Sequence, residues 1–116
     1  MIIQIHPILD RKRMKYGYEL LILQNSTVTK KQRLINATDF VDITIKSAEL
    51  QALIDILSLI EKSKQYNVTI YLSSTCIINL ANGNITPRSI LSKQFVELYT
   101  KYRKNKNIII KELIKL

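Results

Sequence analysis

The chain has 116 residues, of which 47% are apolar and 23% charged, and eighteen Lys and Arg against nine Asp and Glu give a formal net charge of +9. That length fits one domain, residues 1–116, with a modest core. A single Cys (Cys76) excludes an internal disulfide, a single His (His6) leaves little for a metal site, and no run reaches the ~20 continuous apolar residues of a membrane span.

Residues 2–9 are apolar with Gln4 and His6 interleaved, which predicts a strand. The run has no basic lead and is not read as a signal peptide, so the expected location is the cytoplasm or the interior of a host cell. Pro7 cannot donate to a central ladder, so one side of this strand is expected to be locally unpaired. Residues 10–15, DRKRMK, predict a solvated loop, and 16–24, YGYELLILQ, predict a central strand. Residues 25–31 are polar and turn-like. A third strand is placed between Gln32 and Ile45, where Asp39, Asp42 and Thr44 alternate with Phe40, Val41, Ile43 and Ile45.

Ser47 is the expected N-cap of a helix with Glu49 in its first turn. Leu50, Leu53, Ile54, Leu57 and Ile60 share one face of that helix, and Ile56 and Leu59 widen it. Residues 61–67 end it. The β-branched and aromatic run 68–72, VTIYL, predicts a buried strand. Ser73, Ser74 and Thr75 then lead into a short helix, 76–81, stopped by Asn82-Gly83. Pro87 suits the N-terminal region of an amphipathic helix that carries Ile90, Leu91, Phe95, Leu98 and Tyr102 and runs to about Lys104. Residues 108–110, III, with Leu113 and Ile114, predict a last strand. The expected order is β-β-β-α-β-α-α-β.

That order, and within it AELQALIDIL followed by LSSTCIINLANG, resembles the ribonuclease H fold. The resemblance implies an α/β (α+β) domain with a mixed five-stranded sheet, three antiparallel strands first and parallel strands added later, here without the family's final helix. It also implies a site. The family gathers carboxylates from its first strand, first helix, fourth-strand end and last helix to hold two divalent ions, which activate water and stabilise the leaving oxygen. Glu49 fits the helix position. The fourth-strand position reads Ser74 (or Ser73), which is neutral. The first-strand position reads Asp10 in one register and His6 in another. Asp10, Glu49 and Ser74 are therefore vestigial candidates, and neither a metal site nor a cofactor is expected. The structural readings stand beside these. A helix-entry acid is common, a loop-entry Asp10 would pair with Arg11 or Arg13, and Cys76 on an apolar helix behaves as a small hydrophobe.

Two basic clusters lie beside tyrosines, the mixture that contacts phosphate and stacks on bases. Arg11, Lys12, Arg13 and Lys15 precede Tyr16 and Tyr18. Lys101, Arg103, Lys104 and Lys106 surround Tyr99 and Tyr102. Lys30, Lys31 and Arg33 form a third group. In the ribonuclease H layout the first loop lies near the catalytic face, which makes Arg11, Lys12, Arg13, Lys15 and Tyr16 the leading candidates. Lys101, Arg103 and Lys104 come second. Three functions are open: a non-catalytic module contacting nucleic acid or a nucleoprotein, a protein-binding assembly factor or homo-oligomer, and a partner-dependent metal nuclease.

Overall fold

The computed structural model describes residues 1–39 and 43–113. Its elements run β1 (Ile2–Asp10), β2 (Lys15–Gln24), β3 (Thr27–Asn36), α1 (Ile45–Glu61), β4 (Asn67–Leu72), α2 (Thr75–Ala81), α3 (Ile90–Tyr102) and β5 (Asn107–Glu112). The order is the one the sequence predicts. The strands form one sheet in spatial order β3-β2-β1-β4-β5. The β1–β2 and β2–β3 pairs are antiparallel, while β1–β4 and β4–β5 are parallel.

Period-two alternation sets which face is buried. Ile3 and Ile5 of β1, Tyr18 and Leu20 of β2, Val68, Ile70 and Leu72 of β4 and Ile108 of β5 point into the core. They meet Leu50, Leu53, Ile56, Leu57 and Ile60 of α1, Ile77 and Leu80 of α2, and Phe95 and Tyr99 of α3. The opposite sheet face leaves Ile2, Leu23 and Ile109 exposed. Pro7 lies where β1 has outrun its β4 partner, since that pairing covers only Ile2 to Gln4. The missing N–H therefore lies beyond the β1–β4 ladder.

Three local expectations are corrected. The third strand begins at Thr27 and ends at Asn36. Asn25 and Ser26 both adopt left-handed backbone (φ 52° and 64°), the geometry of a two-residue type I′ hairpin turn. The segment read as a loop is thus the entry of an edge strand. Of the residues first assigned to that strand, Phe40, Val41 and Asp42 lie outside the described residues, as does Ile114 at the chain end. The N-cap of α1 is Thr44, whose hydroxyl accepts from the Ser47 N–H while Ser47 Oγ accepts from the Thr44 N–H. Glu49 therefore sits in the second turn. Finally, Ser89 caps α3, so Pro87 precedes the helix and α3 stops at Tyr102.

Candidate functional site

Glu49 is fully buried. The early start of α1 carries it one turn into the helix, against the C-terminal end of β4. There the chain turns from strand into α2, and both turn serines face it. The Ser73 N–H donates to Glu49 Oε2 at 2.8 Å, and Ser73 Oγ reaches both carboxylate oxygens at 3.2 and 3.3 Å. Ser74 Oγ donates to Oε1 in the shortest contact of the group. Ser74 is also the N-cap of α2, yet makes no side-chain capping bond, because its hydroxyl is committed to Glu49. A buried carboxylate needs such donors to offset its lost hydration. Here they are neutral, and they come from one short turn.

The other site candidates do not converge on Glu49. Extending the β1–β4 register past Gln4–Tyr71 brings Ser73 level with His6 and Ser74 level with Pro7. Alternation along β1 puts Pro7 and Leu9 on the face shared by Ile3 and Ile5, and His6 and Asp10 on the other. The His6 ring lies 3.4 Å from Gln4 Oε1. Asp10 lies four positions beyond His6, a rise of about 13 Å. Its Oδ1 accepts from the Arg13 N–H at 3.2 Å, and its Oδ2 stands 3.8 Å from Arg13 Nε. It closes the β1–β2 loop, the role open to a loop-entry acid. Between Glu49's turn and β1 is an open depression walled by Ile5, Pro7, Leu9, Ile45 and Leu113, with His6 and Ser73 at its rim. Among the described residues no cluster of His, Cys, Asp or Glu is placed to hold a metal ion. A pair of divalent ions needs several hard anionic oxygens. One carboxylate occupied by three donors, beside apolar walls, does not fit them.

The basic clusters fall at opposite ends of the sheet. Arg11, Lys12 and Arg13 are exposed in the loop after β1, with Lys15 and Tyr16 half-buried. Because β1 and β4 are parallel, this loop shares an end with Glu49, Ser73 and Ser74. The second cluster leads into the start of β5, where Asn107 pairs with Asn67, so it lies at the other end. Its tyrosines are engaged. Tyr99 is buried, donates to the Ile108 carbonyl at 3.2 Å and carries the Arg103 guanidinium 5.1 Å over its ring. Tyr102 donates to Glu61 at 2.8 Å, with Lys101 Nζ 5.5 Å from its ring centre. Lys106 donates to the Ser63 and Gln65 carbonyls, both at 2.7 Å. Much of this cluster holds α3 to its neighbours. Lys104 remains exposed.

Sequence reasoning missed a second polar cluster. Asp55 of α1 accepts from Tyr18 of β2 at 2.5 Å, from Arg33 of β3 at 2.6 Å and from Gln51 at 3.1 Å. Burial first, then the bond to Asp55, holds the Tyr18 phenol well above its ordinary pKa, and the Asp55 contact raises Arg33. Gln51 and Asp55 lie one helical turn apart on the polar side of α1, and no residue pattern in the sequence joins that side to Tyr18 or Arg33.

No protein-family model matches the chain, and no curated protein matches it. Solved structures do. Ribonuclease H1 from the halophilic archaeon Halobacterium salinarum superposes with a TM-score of 0.74 at 9% identity, covering 98% of this chain and 85% of that one. The N-terminal ribonuclease H domain of Rv2228c from Mycobacterium tuberculosis, solved as a fusion with maltose-binding protein, gives 0.74 at 15% identity over 98% and 81%. LC11 ribonuclease H1, in complex with an RNA/DNA hybrid, gives 0.66 at 15% identity over 98% and 85%. The chain has the ribonuclease H-like fold, a five-stranded mixed sheet with three helices on a shared core.

Proposed function

We propose that this protein is a non-catalytic ribonuclease H-like module that contacts nucleic acid through the loop between β1 and β2. The observation that carries the reading is Glu49. In this chain the helix acid is sealed from solvent and satisfied by Ser73 and Ser74, so it serves as a clasp between α1 and β4. The nucleic-acid part draws on the fold, on one structural neighbour solved with an RNA/DNA hybrid, and on the +9 charge. Arg11, Lys12, Arg13, Lys15 and Tyr16 form the first contact, with Lys101, Arg103 and Lys104 secondary. Protein-binding assembly and partner-dependent nuclease activity are the alternatives.

Binding of single strands, duplex DNA and RNA–DNA hybrid is measured by anisotropy across a salt series. The expected result is a log–log slope that falls by roughly 1 to 2 when Arg11→Glu and Arg13→Glu are combined, with an affinity loss of about tenfold or more. Lys101→Glu with Lys104→Glu serves as the comparison, since Lys106 has a structural role. Equal losses for the two pairs would mean diffuse attraction with no localised contact. Absence of binding at low salt would reject nucleic acid and favour an assembly role. Hybrid cleavage with Mg²⁺ or Mn²⁺, abolished in a folded Glu49→Gln variant, would overturn the non-catalytic reading.

A further inference from the structure

The geometry points to the free edge of β3 as a docking site for an extended acidic segment of another protein, added as a sixth strand. β3 is ten residues long, lies at the sheet edge, and is exposed at every position except Ile35. Long open edges present a row of unpaired backbone donors and acceptors, and natural proteins usually shorten or cover them.

The ladder fixes which groups face outward. The Ala37 N–H donates to the Met14 carbonyl at 2.8 Å, and the same register pairs Tyr16 with Ile35, Tyr18 with Arg33, Leu20 with Lys31 and Ile22 with Thr29. Hydrogen-bonded pairs alternate in an antiparallel ladder. Thr29, Lys31, Arg33 and Ile35 therefore bond inward to β2, while Val28, Lys30, Gln32, Leu34 and Asn36 direct N–H and C=O outward.

Charge selects the occupant. Lys31 and Arg33 stand on the helix side, opposite the core residues Leu20 and Tyr18, and Lys30 stands on the other face. Arg33 is paired with Asp55, and no ion pair to Lys30 or Lys31 occurs among the described residues. A second copy of the strand is a poor partner. In the two-fold antiparallel registers centred on Lys30 or Lys31, a lysine with no ion pair among the described residues falls opposite its own copy. Like charges directly opposite are destabilising. An incoming strand with acids at its centre reverses that sign. Apolar residues toward its ends would meet Val28 and Leu34, both exposed. Backbone bonds then give affinity and the alternating side chains give selectivity.

The test uses the full chain and a synthetic peptide alternating glutamate and valine, followed by two-dimensional amide NMR. Shifts are expected to concentrate at Val28, Lys30, Gln32 and Leu34 and to be smaller at the inward-bonded Thr29, Lys31 and Arg33. The same peptide with N-methyl groups on alternate amides, or with lysine in place of glutamate, should bind at least about tenfold more weakly. Gln32→Pro removes an outward donor and no β2 bond, so it should weaken the peptide about tenfold and leave oligonucleotide binding unchanged. Equal affinity of the N-methylated peptide, unmoved outward amides, or absence of binding at low salt each overturns the proposal. Shifts at those amides that grow with protein concentration alone would assign the edge to a second copy. If Gln32→Pro does not fold, the N-methylated peptide on the unmodified chain still decides.

Discussion

Replacing Glu49 by glutamine is expected to lower folding stability by about 3 kcal/mol, a drop in melting temperature on the order of 10 °C. The carboxylate accepts from two hydroxyls and one main-chain N–H inside the protein. An amide of the same shape removes the charge that strengthens those bonds and turns a donor toward at least one existing donor. The Ser73 N–H has no side-chain freedom with which to find another acceptor. An acid kept for catalysis behaves differently, because functional sites commonly carry strain and relax when the residue is neutralised. Urea unfolding of the two forms separates these cases. A variant as stable as the parent, or more so, would return Glu49 to the role of a functional acid.

Gly17→Ala should cost about 3 kcal/mol, for a different reason. A Cβ at Gly17 would stand 1.9 Å from the Arg33 carbonyl oxygen, 2.9 Å from its carbon and 3.2 Å from the Leu34 Cα. All three atoms are backbone of the adjacent strand, so no side chain can swing aside. β3 would have to move away from β2, taking Arg33 from Asp55. Gly83 provides the control. It has φ of +77° and open space around it, so Gly83→Ala meets only the left-handed backbone penalty of about 1 kcal/mol. Equal losses at the two positions in urea unfolding would exclude the close β2–β3 approach as the cause.

Element order was readable from hydrophobic period alone, because each buried strand and helix carries its own pattern of apolar residues. The bounds of β3 were not, since it has almost no buried face to enforce alternation and its turn uses Asn25-Ser26 where a glycine would have marked left-handed backbone. The start of α1 was misplaced because Thr44 and Ser47 form a reciprocal cap, and a serine inside the first turn looks like the cap itself. The helix position of Glu49 was legible as an acid in an apolar run. Its engagement by Ser73 was not, because a main-chain donor leaves no mark in the residue type. The position of Asp10 depended on strand parity, and only the register of β1 against β2 and β4 fixes that.

The place of β1 in the sheet has a consequence for how the chain folds. On one side β1 meets β2 through a short loop, with Asp10 opposite Lys15; on the other, Ile3 meets Ile70. The first contact closes a small loop and the second must wait for most of the chain to be placed, and such distant closure is entropically slower. The β1–β2–β3 meander should therefore gain amide protection before the β1–β4 seam does, which pulse-labelled hydrogen exchange can order in time. Until the seam closes, β1 exposes a second open edge, this one apolar, and the ribosome-bound or refolding chain is most vulnerable to mispairing in that interval.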